Sequence, residues 1–389
     1  MTGPLAPMRV LDLTAMLSGP YATMLLSDLG ADVVKVEPPA GDATRRVGPF
    51  RGGGRGSGLG GYFQSVNRGK RSIVLDLKTG DGRDRFLALV AHADVVVENY
   101  SAGVMERLGL AYETLAAVNP RLVYAALRGF GDPRTGESPY VSWPAFDVVA
   151  QAMGGFLSVT GTPDGAPVKA GPGIGDIFPG ALAALGIVAA VRHAERTGEG
   201  QFLDVAMYDA VLGLSERIVY QYSYTGVVPR PQGNGHPLLC PFDIFQTGDG
   251  WVALAAPSDR HWRIIAETIG RPDMATDERY ATNAARVRHC TDVRSVLGAW
   301  LLARTNREVV SALGGSVPIG PVNDIRAVFA DPHAAVRRML VEVEEPGCPD
   351  PVTIAGQPIK FTRTPADPTT RGPLLGEARP EQIAAEWSR

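Results

Sequence analysis

Apolar and polar positions along the first two hundred residues follow two alternating periods. Short β-branched runs at 9–13, 32–37, 72–77, 94–98 and 122–127 read as strands, each bounded by polar or glycine positions. Between them lie helical stretches at 20–29 and 82–92; in the second, Phe86, Leu89 and Val90 share one face. An apolar run over 181–195 reads as a long helix. Pro179 suits its first turn, where a missing N–H costs nothing. Strand and helix in alternation predict a doubly wound, mostly parallel, Rossmann-like α/β sheet. Ligands of such sheets bind beyond the carboxyl ends of the strands. That points to Asn99 and Tyr100 and to the loop around Leu17, Ser18 and Gly19.

The texture changes near residue 221. Stretches 242–246 and 251–255 alternate in period two and are joined by a turn containing Asp249 and Gly250, which predicts a β-hairpin. Ser258 suits the cap of a helix running to Ile269, with Trp262, Ile265, Ala266 and Ile269 on one face and Gly270 as its stop. Helical stretches continue to about residue 313. The expected organisation is a large α/β domain over 1–220 and a smaller α+β domain over 221–330. A segment over 331–389 then returns to the large domain. No internal repeat is present.

Bulk properties narrow the classes. The chain has 389 residues and a net charge of −3, with Lys and Arg scattered rather than clustered, so no nucleic-acid surface is expected. The three cysteines are spaced as neither a zinc site nor a disulfide framework, which fits a reducing cytoplasm. The N-terminus lacks the pattern of a signal peptide, and no apolar run approaches the ~20 residues of a membrane span. Six histidines occur without a His-x-x-x-His pair, so no catalytic metal is expected.

Asp176 is the leading candidate for chemistry. It follows Gly171, Gly173 and Gly175 and precedes the long apolar helix, placing a carboxylate at an electropositive helix start. The glycines leave backbone N–H groups free to approach a ligand, and the helix end favours the ionised, nucleophilic form. The alternative is a simple helix cap. Gly56, Gly58 and Gly61 form a G-x-G-x-x-G, but no strand precedes them; the turn after the first strand lacks the glycine pattern. An NAD-dependent dehydrogenase is therefore not expected. Arg68, Lys70 and Arg71, just before a strand, read either as a solvated strand entry or as a phosphate contact. Gly233, Asn234 and Gly235 read as an inter-domain turn or as a backbone cradle for a carboxylate.

Taken in order, several segments resemble the class III CoA-transferases, the family that includes formyl-CoA transferase, carnitine CoA-transferase and α-methylacyl-CoA racemase. They begin with Val10-Leu11-Asp12-Leu13, Ser18-Gly19-Pro20 and the run from Gly30 to Pro38. Asn67 to Ser72, Val95 to Tyr100, Phe146-Asp147, Gly175-Asp176, Arg196 to Gln201 and Pro373 to Glu377 follow. The resemblance implies an interlocked, ring-like homodimer whose substrates are an acyl-CoA and a small carboxylic acid, with no permanently bound cofactor. It implies that Asp176 attacks the thioester and passes through an anhydride and an enzyme–CoA thioester. It assigns CoA contacts to Ser18, Lys70, Arg71, Ser72, Asn99, Tyr100 and Arg107. Leu17, Tyr62, Phe146, Asp147, Gly233, Asn234 and Gly235 fall to the acid. Departures from formyl-CoA transferase are Leu17 for glutamine, Pro38 for arginine, Pro144 for lysine and Phe146 for tyrosine. A pocket lacking those polar groups should bind oxalate poorly and favour a larger or more apolar acid. Ala378 replaces a histidine often found in the C-terminal motif. The racemase branch needs two acid–base groups, one a histidine at the position of Phe146, which cannot accept a proton. A non-catalytic CoA-binding subunit is a further alternative, against which the presence of Asp176 argues.

Overall fold

The computed structural model describes residues 3–51, 59–365 and 370–389. Gly56 and Gly58 of the glycine-rich motif lie outside the described residues, and Gly61 begins a helix. Two compact units are present. The first comprises Met1–Phe156, Lys169–Thr225 and Pro332–Arg389; the second comprises Leu157–Val168 and Gly226–Asp331. The second unit thus takes in residues 157–168, which the expected boundaries assign to the large domain.

The first unit is built on six parallel strands: β1 (Arg9–Asp12), β2 (Asp32–Glu37), β3 (Arg71–Val74), β4 (Val95–Glu98), β5 (Val123–Arg128) and β6 (Gln201–Ala206). Their spatial order is β3-β2-β1-β4-β5-β6, with register Val10↔Val33 and Val10↔Val95 at the centre. This is the doubly wound order, and its switch point lies between β1 and β4. The strands are near-continuous apolar runs because both faces are covered. On one face Leu11, Val34, Ile73, Val96 and Tyr124 meet Phe86 and Leu89 of α3 (Gly80–Val90) and Leu115 of α5 (Tyr112–Val118). Ile383 and Trp387 of α17 (Pro380–Trp387) complete that core. On the other face Val10, Val33, Val95, Val97 and Ala125 meet α1 (Ser18–Asp28) and α7 (Ile174–Thr197). Each fully buried aliphatic side chain contributes about 1.5–3 kcal/mol. The remaining helices of this unit are α2 (Gly61–Asn67), α4 (Val104–Arg107), α6 (Asp147–Met153), α8 (Met207–Leu214), α9 (Glu216–Thr225) and α16 (Pro332–Val336). Strands β10 (Leu340–Val343) and β11 (Val352–Ala355) form an antiparallel pair.

The chain returns to the sheet at its C-terminus, where Ala378 N donates to Ser72 O at 2.9 Å and Trp387 Nε1 to Asp32 Oδ2 at 2.7 Å.

Helix α7 corrects two expectations. It begins at Ile174, not after Pro179, so Pro179 is its sixth residue and Asp176 lies inside the first turn. The early start is stabilised from outside: Asp147 Oδ1 accepts the Gly175 N–H at 2.7 Å, satisfying a helix-end donor that Gly173, at the cap, has no side chain to satisfy. At 24 residues the helix is also long and apolar enough, by length and composition, to cross a bilayer. Here Ala183, Ala184, Ile187, Ala190 and Val191 pack into the α/β core instead.

The second unit carries the expected hairpin as β7 (Phe242–Gln246) and β8 (Trp251–Ala255), extended by β9 (Ile319–Pro321) into a three-stranded antiparallel sheet. Helices α10 (Asp259–Thr268), α11 (Asp273–Thr276), α12 (Asn283–Arg288), α13 (Cys290–Leu302), α14 (Asn306–Leu313) and α15 (Ile325–Phe329) follow the sheet or flank its last strand. Ser258 caps α10, accepting from the His261 N–H at 3.1 Å. Trp262, Ile265, Val293, Leu297, Val309 and Leu313 pack with Phe245, Val252 and Leu254 as the core of this unit.

Candidate active site

The loop from β1 to α1 is the floor of the site. Asp12, fully buried at the end of β1, accepts from Thr14 N at 2.8 Å, from Thr23 Oγ1 at 2.8 Å and from Lys70 Nζ at 2.9 Å. Burial alone raises its pKa, but Lys70 and Lys35 pull it down to about 2. Asn99, just beyond β4, grips the same loop with both ends of its amide: Oδ1 accepts from Ala15 N at 2.8 Å and Nδ2 donates to Ala15 O at 2.7 Å. The next residue, Met16, is held at φ 67, a left-handed conformation costly for a non-glycine residue. Asn99 thus sets the loop that presents Met16 and Ser18 to a cavity of about 230 Å³.

Asp176 lines that cavity with Asn99, Tyr100, Arg128, Trp143, Phe146 and Met207. Its neighbour Asp147 begins α6 and is fixed by Gln151 Nε2, 2.8 Å from each carboxylate oxygen, and by the Gly175 N–H. Glycine is required at 175 for close approach, because a Cβ there lies 2.5 Å from Asp147 O. At Gly180, one turn further on, a Cβ lies 2.5 Å from Ser18 O, so the crossing of α1 over α7 needs glycine as well.

The electrostatics differ from the expectation. Burial, and then the Asp147 charge, push the Asp176 carboxyl up to about 6, with only partial relief from a hydrogen bond to the Asp147 backbone. Here burial and a like charge outweigh the helix end. The Gly175 N–H expected to be free for a ligand is already taken by Asp147. Tyr62, in the first turn of α2, is pushed up to about 12 by burial and then by the Asp176 charge.

The other predicted residues divide. Ser18 is buried at the start of α1 and borders the cavity. Tyr100 also borders it; burial and Glu98 raise its hydroxyl to about 12. Phe146 caps α6 without a side-chain hydrogen bond and is 59% exposed at the cavity wall. Leu17 lies against Gly173, its Cδ2 3.1 Å from where a Cβ would stand. Arg107, the last residue of α4, is exposed.

Lys70, Arg71 and Ser72, expected as CoA contacts, all make ion pairs or hydrogen bonds within the fold. The Lys70 ammonium is fully buried and bonded to Asp12, Pro20 O and Asn67 Oδ1. Ser72 Oγ donates to Glu37 Oε1 at 2.6 Å and accepts from Gly376 N at 3.1 Å. Arg71 pairs with Asp32 and Glu386, and Arg68 with Asp28 at 2.6 Å. A cation next to a strand that enters a buried sheet edge finds its counter-charges inside the fold. Gly233, Asn234 and Gly235 belong to the second unit, where Gly233 has φ 67 and donates to Gly161 O at 2.9 Å. Gly235 stands beside the Asp243–Arg294 ion pair.

Sequence reasoning passed over Met16, Trp143, Met207 and Arg128. Arg128 is buried at the carboxyl end of β5 and paired with Glu98 and Asp132; burial raises the Glu98 carboxyl to about 7 despite that partner. The strand-end rule that singled out Asn99 also covers Arg128. Among the described residues no group of His, Cys, Asp and Glu is arranged to hold a metal ion.

Fold and site together define an α/β enzyme that presents a half-buried carboxylate to a mostly apolar cavity at the carboxyl ends of a parallel sheet. The profile of CoA-transferase family III matches residues 5–379, and the chain belongs to that family. It is 51% identical over 381 residues to a succinyl-CoA:mesaconate CoA-transferase of Haloarcula hispanica, covering 98% of this chain and 96% of that one. It is 39% identical over 391 residues to a succinate–glutarate CoA-transferase of Agrobacterium fabrum, covering 98% and 95%. A solved CAIB/BAIF family protein from Brucella suis superposes with a TM-score of 0.85 at 35% identity, over all of both chains. The protein is a class III acyl-CoA:carboxylate CoA-transferase.

Proposed function

We propose that Asp176 is the nucleophile of this transfer and that the acceptor is a short dicarboxylic acid, with succinyl-CoA as donor. A carboxylate oxygen of Asp176 attacks the thioester carbonyl carbon, the C–S bond breaks, and CoA leaves as thiolate. The thiolate attacks the aspartyl carbonyl of the resulting anhydride, releasing the donor acid and leaving CoA on Asp176. The incoming carboxylate attacks that thioester, and returning thiolate attacks the new anhydride at the acceptor's carbonyl, regenerating Asp176. The observation that carries the reading is a carboxylate raised to about 6, ionised at neutral pH, in a cavity whose described lining has no histidine or lysine base. A thioester is already activated, so such a nucleophile suffices. A hydrogen bond from the Asp147 backbone helps to place it, and Gln151 in turn fixes the Asp147 carboxylate.

The diacid acceptor rests on the names of the relatives above and on the nonpolar residues Leu17 and Phe146 at the site. Both favour an acid bulkier than oxalate. CoA is carried past Ser18, Asn99 and Tyr100, with the exposed Arg107 available to its phosphates.

The working form is a homodimer with interlocked subunits. In α9 no described residue is buried, while Val219, Tyr220 and Tyr222 are exposed, and a second copy would cover them. A reducing cytoplasm suits three free cysteines.

The test is peptide mass spectrometry after mixing with succinyl-CoA and quenching in hydroxylamine. A hydroxamate on Asp176 is expected. Asp176→Ala should lose it and all transfer while still binding CoA; retained turnover in that variant overturns the assignment.

A further inference from the structure

Two cysteines separated by 50 residues meet inside the second unit. Cys240 Sγ and Cys290 Sγ are 2.9 Å apart, and both are free thiols. The main chain around them holds the contact. Cys240 N donates to Asn283 Oδ1 at 3.1 Å, and Cys240 O accepts from Arg286 Nε at 2.9 Å. Arg286 is fully buried and also grips Tyr280 O and Pro257 O. On the other side Ala256 N donates to Pro241 O at 2.8 Å. Asn283 and Arg286 both belong to α12, and α13 opens with Cys290 after a single intervening residue, His289, beyond the end of α12. The segment bearing Cys240 and the helix start bearing Cys290 are thereby pinned to each other by groups other than the sulfurs. Neither thiol serves the transfer reaction.

We propose that Cys240 and Cys290 are a redox-modification site that closes to a reversible intramolecular disulfide when the protein meets a peroxide. Cys240 is fully buried and Cys290 half-buried, so the peroxide reaches Cys290 first. The Cys290 sulfur attacks a peroxide oxygen; the O–O bond breaks, leaving a sulfenic acid and one water. The Cys240 sulfur then attacks the sulfenic sulfur. The S–O bond breaks, and a second water leaves with the Cys240 proton. Two thiols supply two electrons, and one hydrogen peroxide becomes two waters. A dithiol reductant reverses the change by exchange. The new bond ties the entry to β7 onto α13, one turn before Arg294, which pairs with Asp243 of β7 beside Gly235. A cross-link across a 50-residue loop restricts the unfolded chain and raises the unfolding midpoint of this unit.

The test treats the full-length protein with stoichiometric hydrogen peroxide, then alkylates, digests and maps it. Expected are a linked peptide joining Cys240 to Cys290, a mass loss of about 2 Da, and disappearance of two of three titratable thiols. Dithiothreitol should restore all three, and the thermal midpoint should be higher in the oxidised form. Cys348 is the internal control, because the first unit holds no other cysteine. Cys290→Ser, at the half-buried position, should leave Cys240 titratable and abolish both the link and the midpoint shift. Three thiols still titratable after treatment overturn the proposal. So does oxidation that stops at a dimedone-trapped sulfenic acid on Cys290, or a disulfide found only between two chains.

Discussion

Replacing Asp176 by asparagine separates what the carboxylate does for chemistry from what it does to the fold. In the folded protein the carboxyl titrates at about 6 rather than 3.8, because it is buried and faces Asp147. Its folded pKa is therefore raised, and for an acid the folded state then binds more protons than the unfolded one between the two values. Stability must fall as pH rises through that window, and the loss is complete above about pH 7. A rise from 3.8 to about 6 corresponds to about 3 kcal/mol, so ionised Asp176 costs the fold about that much at pH 8. At pH 4.5 the same arithmetic leaves about 1 kcal/mol. Asparagine is nearly isosteric and carries no charge. Asp176→Asn is expected to be inactive, yet more stable than the parent by about 3 kcal/mol at pH 8 and about 1 kcal/mol at pH 4.5. Urea unfolding of both proteins at both pH values measures the difference of differences. An equal gain at the two pH values, or a loss at pH 8, refutes the electrostatic argument.

Four further outcomes follow. Single-turnover acylation by succinyl-CoA should rise about tenfold per pH unit below 6 and level off above it; Asp147→Asn should move that midpoint downward, and an unmoved midpoint would remove Asp147 as its cause. Lys70→Ala strands the buried Asp12 charge and should destabilise the protein by about 3–5 kcal/mol. Arg107→Ala should leave stability within about 0.5 kcal/mol while raising the KM for acyl-CoA. Urea titration and steady-state kinetics on the two variants distinguish a structural cation from a ligand-facing one. Trp387→Ala removes a ring packed under the sheet and a hydrogen bond to Asp32, for an expected loss of about 3–5 kcal/mol; an unchanged urea midpoint would mean that α17 is not part of the cooperative fold.

The alternation of strand and helix, the hairpin at β7 and β8, and the Ser258 cap are all local signals. Each depends on residues two to four positions apart; most of these elements lie within a residue or two of where the pattern puts them, β3 ending three residues before the expected 77 and α7 starting seven before 181. The strand β6 was not legible: its Gln201–Ala206 stretch is an edge strand, half-buried, and lacks a long β-branched run. The start of α7 was misplaced because Pro179 looks like a helix opening, whereas Asp147, 28 residues earlier, satisfies the Gly175 N–H and lets the helix begin sooner. The site was legible as residue types: a carboxylate among glycines at a helix start, and polar residues at strand ends. Its electrostatics were not, because the raised pKa of Asp176 comes from burial and from Asp147, neither of which is adjacent in the chain.

By itself the sequence determined the periodicity of the elements, the parallel α/β class and the presence of a carboxylate among glycines at a helix start. Those follow from backbone geometry, which acts over one turn or one pleat. Only the tertiary structure decided that Lys70 neutralises Asp12 across 58 residues and that Asn99 spends its amide on Ala15. It alone set Cys240 against Cys290. Charge pairing, desolvation and sulfur contact act through space over a few ångströms, and the distance along the chain carries no record of them.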